Sequence, residues 1–351
     1  MRLFSCSNCA NVVHFDNNAC VTCGMGLAYR PGHFDMVAIQ ALPDGGWADP
    51  SEPGVLLQPC ANAVMGGCNW LVEDGDPSGF CIACRHNLMI PDLDIPENVE
   101  NWQKIELAKR YLFYSLMRFG LPLVTRTADP VGGLGFEFLS DGSGTADGPV
   151  LTGHASGLIT LNVAEASDAE REARRVSLGE PFRTLIGHFR HEVGHYFWEK
   201  LVRDRGAIDG FRALFGDESE DYGEALQRHY VNGPAAGWEQ GFISAYAASH
   251  PWEDFAETWA HYFHIVDALD TADAFGLRTS PETNADGLAL TTTFDSYRAV
   301  NAQVLIDAWV PLTIAVNSIN RSMGQRDLYP FVLSAPVFAK LQYIHEIIHL
   351  N

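Results

Sequence analysis

The chain has 351 residues, 47% of them hydrophobic and 19% charged, an ordinary globular composition rather than a disordered one. Its formal net charge of −21 repels phosphate backbones and argues against nucleic acid as a partner. The start, MRLFSCSNCANVV, lacks the apolar stretch of a signal peptide. No run reaches the roughly 18–20 apolar residues that span a bilayer, and VLIDAWVPLTIAV is short and carries Asp307, so a cytoplasmic protein without membrane contact is expected.

All eight cysteines lie in the first 84 residues. Paired Cys-x-x-Cys motifs in an unexported chain read as metal sites more readily than as disulfides. Cys6, Cys9, Cys20 and Cys23 form the first set, two tight turns that can each aim two thiolates at one ion. Cys60, Cys68, Cys81 and Cys84 form the second, its first half spaced more widely than usual; ligand exchange between the sets stays open. Two structural zinc ions would hold together segments too small and polar to fold by burial alone. The expected module covers residues 1–92, and PDLDIPENVEN reads as a linker to a second domain over 98–351.

From Trp102 the spacing becomes helical and stops at Gly120. Strand-like runs follow at 135–139 and 158–163, and after Pro181 nearly everything reads as helix, which predicts an α+β fold. The segment from Pro181 to Gly206 reads as one long helix carrying His191-Glu192-Val193-Gly194-His195, an H-E-x-x-H motif. Residues four apart lie about 40° apart around a helix, so both imidazoles can meet one zinc. Glu192 can then act as general base toward a water in the remaining position. Gly187 and Gly194 share a face, and each costs about 1 kcal/mol in a helix interior, which close approach of another backbone would explain. His345-Glu346-Ile347-Ile348-His349 fits the same motif two residues before the end; it reads as a packing helix with Tyr343, Ile344, Ile347 and Ile348 inward. His188 reads as a histidine outside the ligand set.

The third ligand is sought in SAYAASHPWEDFAETWAHYFHIVDAL, where Pro251 suits a helix start. Glu253, Glu257 and His261 fall on one stripe at spacing four, and any of them could complete the site. A carboxylate or imidazole left over would hydrogen-bond a ligand histidine and fix its tautomer. Tyr246, in the loop before this helix, could donate to a developing oxyanion or be an ordinary loop aromatic.

GHFRHEVGHYFWEKL followed by HPWEDFAETWAHYFHI resembles a bacterial family of zinc-binding metallopeptidases with an N-terminal zinc-ribbon region, over nearly the whole chain. The same pattern, with Tyr246 ahead of Glu253-Asp254-Phe255-Ala256-Glu257, is similar over a shorter stretch to the metalloprotease domain of anthrax lethal factor. The resemblance implies a zincin-like fold of the two-histidine, one-glutamate (gluzincin) type. It also implies Glu253 as metal ligand and Tyr246 as transition-state donor, which leaves Glu257 and His261 of the same stripe as supporting residues. The departure is a longer segment, 57 residues, between His195 and Glu253. In zincins an edge strand ahead of the active helix usually pairs with extended substrate, and GLITLNV (157–163) is either that strand or a purely structural strand of the sheet.

The leading expectation is therefore a zinc metallopeptidase acting on peptide or protein substrates with one catalytic and two structural zinc ions. The alternative is an interaction module, in which the ribbons bind a protein partner and the zincin domain is inactive.

Overall fold

The computed structural model describes residues 2–43, 45–52, 54–141, 150, 152–172, 184–282 and 287–350. By packing the chain forms two compact units: Met1–Leu116 with Pro122–Arg171, and Met117–Leu121 with Glu172–Asn351.

In the first unit, β1 (Phe4–Ser5) and β2 (Val12–Val13) form a short hairpin. The strands β3 (Gly26–Arg30), β4 (Asp35–Ala41), β5 (Trp47–Ala48) and β6 (Leu56–Leu57) follow as an antiparallel meander. These strands are too short for a large apolar core, and aromatic rings supply it instead: Phe15, Tyr29 and Trp70 pack edge-to-face or tilted at 4.8–5.8 Å. After β7 (Asn87–Met89) comes α1 (Pro96–Arg118), whose Tyr111 and Tyr114 rings join that cluster. The helix starts six residues before Trp102, inside the expected linker, because Pro96 is preset for a helical first turn and Glu97 favours its positive end. Gly120, at φ 67°, follows its last turn.

The remaining strands of this unit, β8 (Gly135–Leu139), β9 (Gly153–Ala155) and β10 (Leu158–Asn162), join β7 in the order β7-β8-β10-β9. Both strand positions expected from sequence are present. The edge assignment is not: β10 pairs in parallel with β8 on one side and antiparallel with β9 on the other, so its ladder is occupied on both sides. A strand with both neighbours filled cannot take up a substrate strand.

The second unit is helical: α2 (Leu185–Trp198), α3 (Ile208–Phe215), α4 (Tyr222–Asn232), α5 (Pro251–Ala274), α6 (Ala302–Ser322) and α7 (Ala335–His349). Thr184 caps α2, its Oγ1 accepting from Gly187 N at 3.0 Å, so the described helix begins at Leu185 rather than at Pro181. Pro181 itself lies outside the described residues. A π turn over Glu199–Arg203 extends α2, and Gly206 follows at φ 70°. The central packing is α2 on α5. A Cβ on Gly194 would stand 3.0 Å from Ala256 Cα, so the glycine lets two backbones approach. Phe197 stacks on Trp259 at 5.1 Å beside this contact.

By length and composition α6 could cross a membrane, with mean hydropathy 1.4. Its buried stripe of Leu305, Ala308, Trp309 and Leu312 lies within the unit's core, where α6 packs on α5 and α7. The histidines of the second H-E-x-x-H sequence hold structure: His345 Nδ1 pairs with the Tyr262 hydroxyl at 2.8 Å, and His349 Nε2 donates to Tyr297 O at 3.1 Å. Tyr343, Ile344, Ile347 and Ile348 are buried as expected, and His345 is buried with them.

Candidate metal centre

One turn of α2 sets the His191 and His195 rings 4.9 Å apart, centroid to centroid. The third group comes from the first turn of α5. His250 caps that helix, its Nδ1 accepting from Trp252 N at 3.1 Å, and Pro251 fixes the first helical φ. Glu253 thus sits where the helix's positive end favours a carboxylate. Its Oε2 lies 3.0 Å from His191 Nε2 and 3.6 Å from His195 Nε2. One ligand atom from each of the three residues falls within 4.8 Å of the others. A tetrahedral zinc with bonds near 2.1 Å would set its ligand atoms about 3.4 Å apart, close to the spacing here. Oε2 is buried yet accepts no aligned hydrogen bond. A buried anionic oxygen of this kind is costly unless a cation or donor meets it, so the residues fit zinc.

Around this trio the supporting contacts are specific. His191 Nδ1–H donates to Glu257 Oε1 at 2.7 Å, which turns Nε2 toward Glu253 Oε2. Ser244 Oγ donates to Glu257 Oε2 at 2.6 Å. Tyr222 Oη donates to Glu253 Oε1 at 2.7 Å. The Trp252 ring covers the His195 ring at 4.0 Å.

Charge follows the geometry. Burial works against a charged His191, but the Glu253 and Glu257 carboxylates beside it outweigh burial and raise its pKa well above the ordinary value. Burial likewise opposes ionising Glu257, and the His191 contact overrides it, lowering its pKa to about 2. Glu253 is held well below the usual carboxylate range because the two histidines overcome its burial.

The other expected residues fall as follows. Glu192 is half-buried on the same turn as His191, and its charge bears on the phenols of both Tyr222 and Tyr246. The Tyr246 ring stands 5.9 Å from the His191 ring. Burial first, then the charge of Glu253, pushes its phenol far above the ordinary pKa, so it remains a donor. His261 is one turn beyond Glu257 and outside the ligand trio; its Nδ1 pairs with Tyr329 Oη at 2.8 Å, and burial lowers its pKa to about 4. His264 pairs with Arg190, which also holds Asp267, in a separate buried network. Sequence reasoning missed Tyr222, Ser244 and Trp252. Trp252 adjoins Glu253 and could have been found from that neighbour, whereas Tyr222 carries no periodic signal.

Both cysteine sets also converge. Cys6–Cys23, Cys9–Cys20 and Cys68–Cys81 have sulfurs 3.8, 3.6 and 3.7 Å apart. A disulfide needs about 2.05 Å, while thiolates about 2.3 Å from a tetrahedral zinc lie about 3.8 Å from one another. All four sulfurs of each set lie within 4.8 Å. The wide Cys60–Cys68 spacing is taken up by a 3-10 turn over Ala61–Ala63 and a return through Gly66 and Gly67. Any Cβ on Gly67 would meet the Trp102 ring at 2.2 Å.

Residues 98–347 match the family described as “Putative zinc-binding metallo-peptidase”, and residues 3–95 match a zinc-ribbon domain. The chain belongs to this metallopeptidase family. The chain is also similar, at 41% identity over 349 residues, to “Uncharacterized protein Rv2568c” of Mycobacterium tuberculosis strain H37Rv and to “Uncharacterized protein Mb2598c” of Mycobacterium bovis. Each alignment covers 99% of this metallopeptidase-family chain and 95% of the relative. No solved structure matches it.

Proposed function

We propose that the protein is a zinc-dependent peptidase in which His191, His195 and Glu253 hold the catalytic ion. The observation that carries this reading is the buried Glu253 Oε2, 3.0 and 3.6 Å from the two Nε2 atoms and without an aligned hydrogen bond. Bound zinc supplies a Lewis acid that polarises a carbonyl and makes water easier to deprotonate. Glu192 takes the proton from the attacking water and passes it to the leaving amine. Tyr246, kept protonated, donates to the carbonyl oxygen as charge develops on it. Glu257 holds the His191 tautomer through the 2.7 Å contact. The two cysteine sets hold structural zinc, since four thiolates leave no position for substrate.

The test is Glu192→Gln, assayed on a peptide library with and without chelator. Zinc content should stay at the wild-type level while turnover falls by about 10²–10⁴-fold. Undiminished zinc-dependent cleavage by the variant would refute the base assignment. Wild-type protein that carries its zinc but cleaves nothing would favour the interaction-module reading.

A further inference from the structure

We infer that Tyr222 is a positioning residue of this centre: by occupying Oε1 of Glu253 it leaves Oε2 alone to meet the ion, and so sets the site's affinity and its free coordination position. The inference rests on the zinc reading above. A carboxylate offers two oxygens. If both bound, two histidines and Glu253 would supply four donor atoms and close the position that a catalytic site keeps for water. Here the two oxygens are divided. Oε1 accepts from Tyr222 Oη at 2.7 Å, and Oε2 faces the two imidazoles.

Tyr222 is built to stay there. It is the first residue of α4, a helix start fixed by Asp221, whose side chain accepts from Glu224 N at 2.8 Å. Its ring meets those of His250 and Trp252, the residues bracketing Pro251 just ahead of Glu253, edge-on at 5.3 and 5.8 Å. The rest of α4 argues the same way. Ala225 is its one buried residue, so α4 contributes little to the core. Its directed contacts run to the site: Tyr222 to Glu253, and the His229 ring to the Tyr246 ring at 6.0 Å. The 57 residues between His195 and Glu253 thus return a side chain to the metal centre.

The test is Tyr222→Phe in the full chain, which removes the hydroxyl and keeps the ring. Zinc affinity of the His–Glu site is read by competition with a chromophoric chelator while the cysteine sites stay loaded. Loss of such an outer partner should weaken the site by about 10–100-fold, whereas Tyr230→Phe, a change at an exposed tyrosine of the same helix, should leave affinity unchanged. Cobalt placed in the His–Glu site gives a second readout. Its intense four-coordinate visible bands should weaken in Tyr222→Phe as the freed oxygen joins the ion. Tyr222→Leu should repeat both changes if Phe perturbs α4. If Glu253→Ala releases the zinc but Tyr222→Phe keeps wild-type affinity and spectrum, the Tyr222 inference alone is overturned. If Glu253→Ala leaves zinc binding intact, the metal reading beneath it fails.

Discussion

Two carboxylates converge on one imidazole at the centre, and both favour the protonated form of His191 in the metal-free protein. Its pKa is raised well above the ordinary value by Glu253 and Glu257. Below that raised pKa zinc must displace the proton; above it there is none to displace. Affinity should therefore fall as pH drops below that raised pKa, and zinc binding there should release a proton. Calorimetry in two buffers of different ionisation enthalpy measures this, and zero release at pH 7 would show that His191 is neutral without metal. The residues that sequence identified here are those a helix repeats. His191 and His195 are one turn apart on α2, and Glu253 and Glu257 one turn apart on α5. Tyr222 and Ser244 reach the site from a short helix and a loop. Their positions depend on how a long segment folds back, which no local period encodes.

Helix pairing decides whether these side chains meet. On α2 the glycine is needed because α5 lies against it: an added Cβ would be 3.0 Å from Ala256 Cα and 3.2 Å from Trp259 Cδ1. Gly194→Ala gains about 1 kcal/mol of helix propensity but must push a backbone atom, and overpacking of that kind costs about 1–3 kcal/mol. Because α5 also carries Glu253, the expected signature is weaker zinc binding out of proportion to any fall in melting temperature. Equal affinity in chelator competition would mean that the helices separate without moving Glu253. A second tie holds α5 to α7. Lys340 Nζ lies 2.6 Å from Asp254 Oδ2 and donates to Gly241 O at 2.7 Å. Burial raises the Asp254 pKa to about 7 despite Lys340. A folded-state pKa above the unfolded one favours folding at low pH, and that contribution is lost as pH rises through about 7. Lys340→Met strands a buried carboxylate and should cost about 3–5 kcal/mol at pH 8, with a smaller loss at pH 5.5, where Asp254 can take a proton. Thermal melts at the two pH values check the sign. At this scale the sequence showed which segments are helical or extended. It misjudged where α1 begins and which strand forms an edge, because helix ends follow capping geometry and strand order follows partners distant in the chain.

At the scale of the whole chain, the two cysteine sets stand among strands too short for a large apolar core. The cysteine-bearing segment is legible from composition alone, and its family boundary falls at residue 95. The compact unit around it nevertheless runs on through α1 and the sheet of β7–β10 to Arg171, since the aromatic cluster of Phe15, Tyr29 and Trp70 needs Tyr111 and Tyr114. Zinc removal should therefore proceed in order of access. The His–Glu ion, held by three residues with a position open, should leave first. Next should come the first cysteine set, where Cys9 is exposed and Cys23 half-buried. The second set, with all four cysteines buried, should be last. Timed chelation with metal analysis should show about three zinc ions per chain leaving in that sequence. Near-UV circular dichroism should collapse only with the later two steps, because thiolate-bound zinc supplies folding free energy to the unit that encloses Trp70. If the first ion lost already collapsed that signal, the labile metal would be structural, and the division between one working ion and two supporting ones would have to be redrawn.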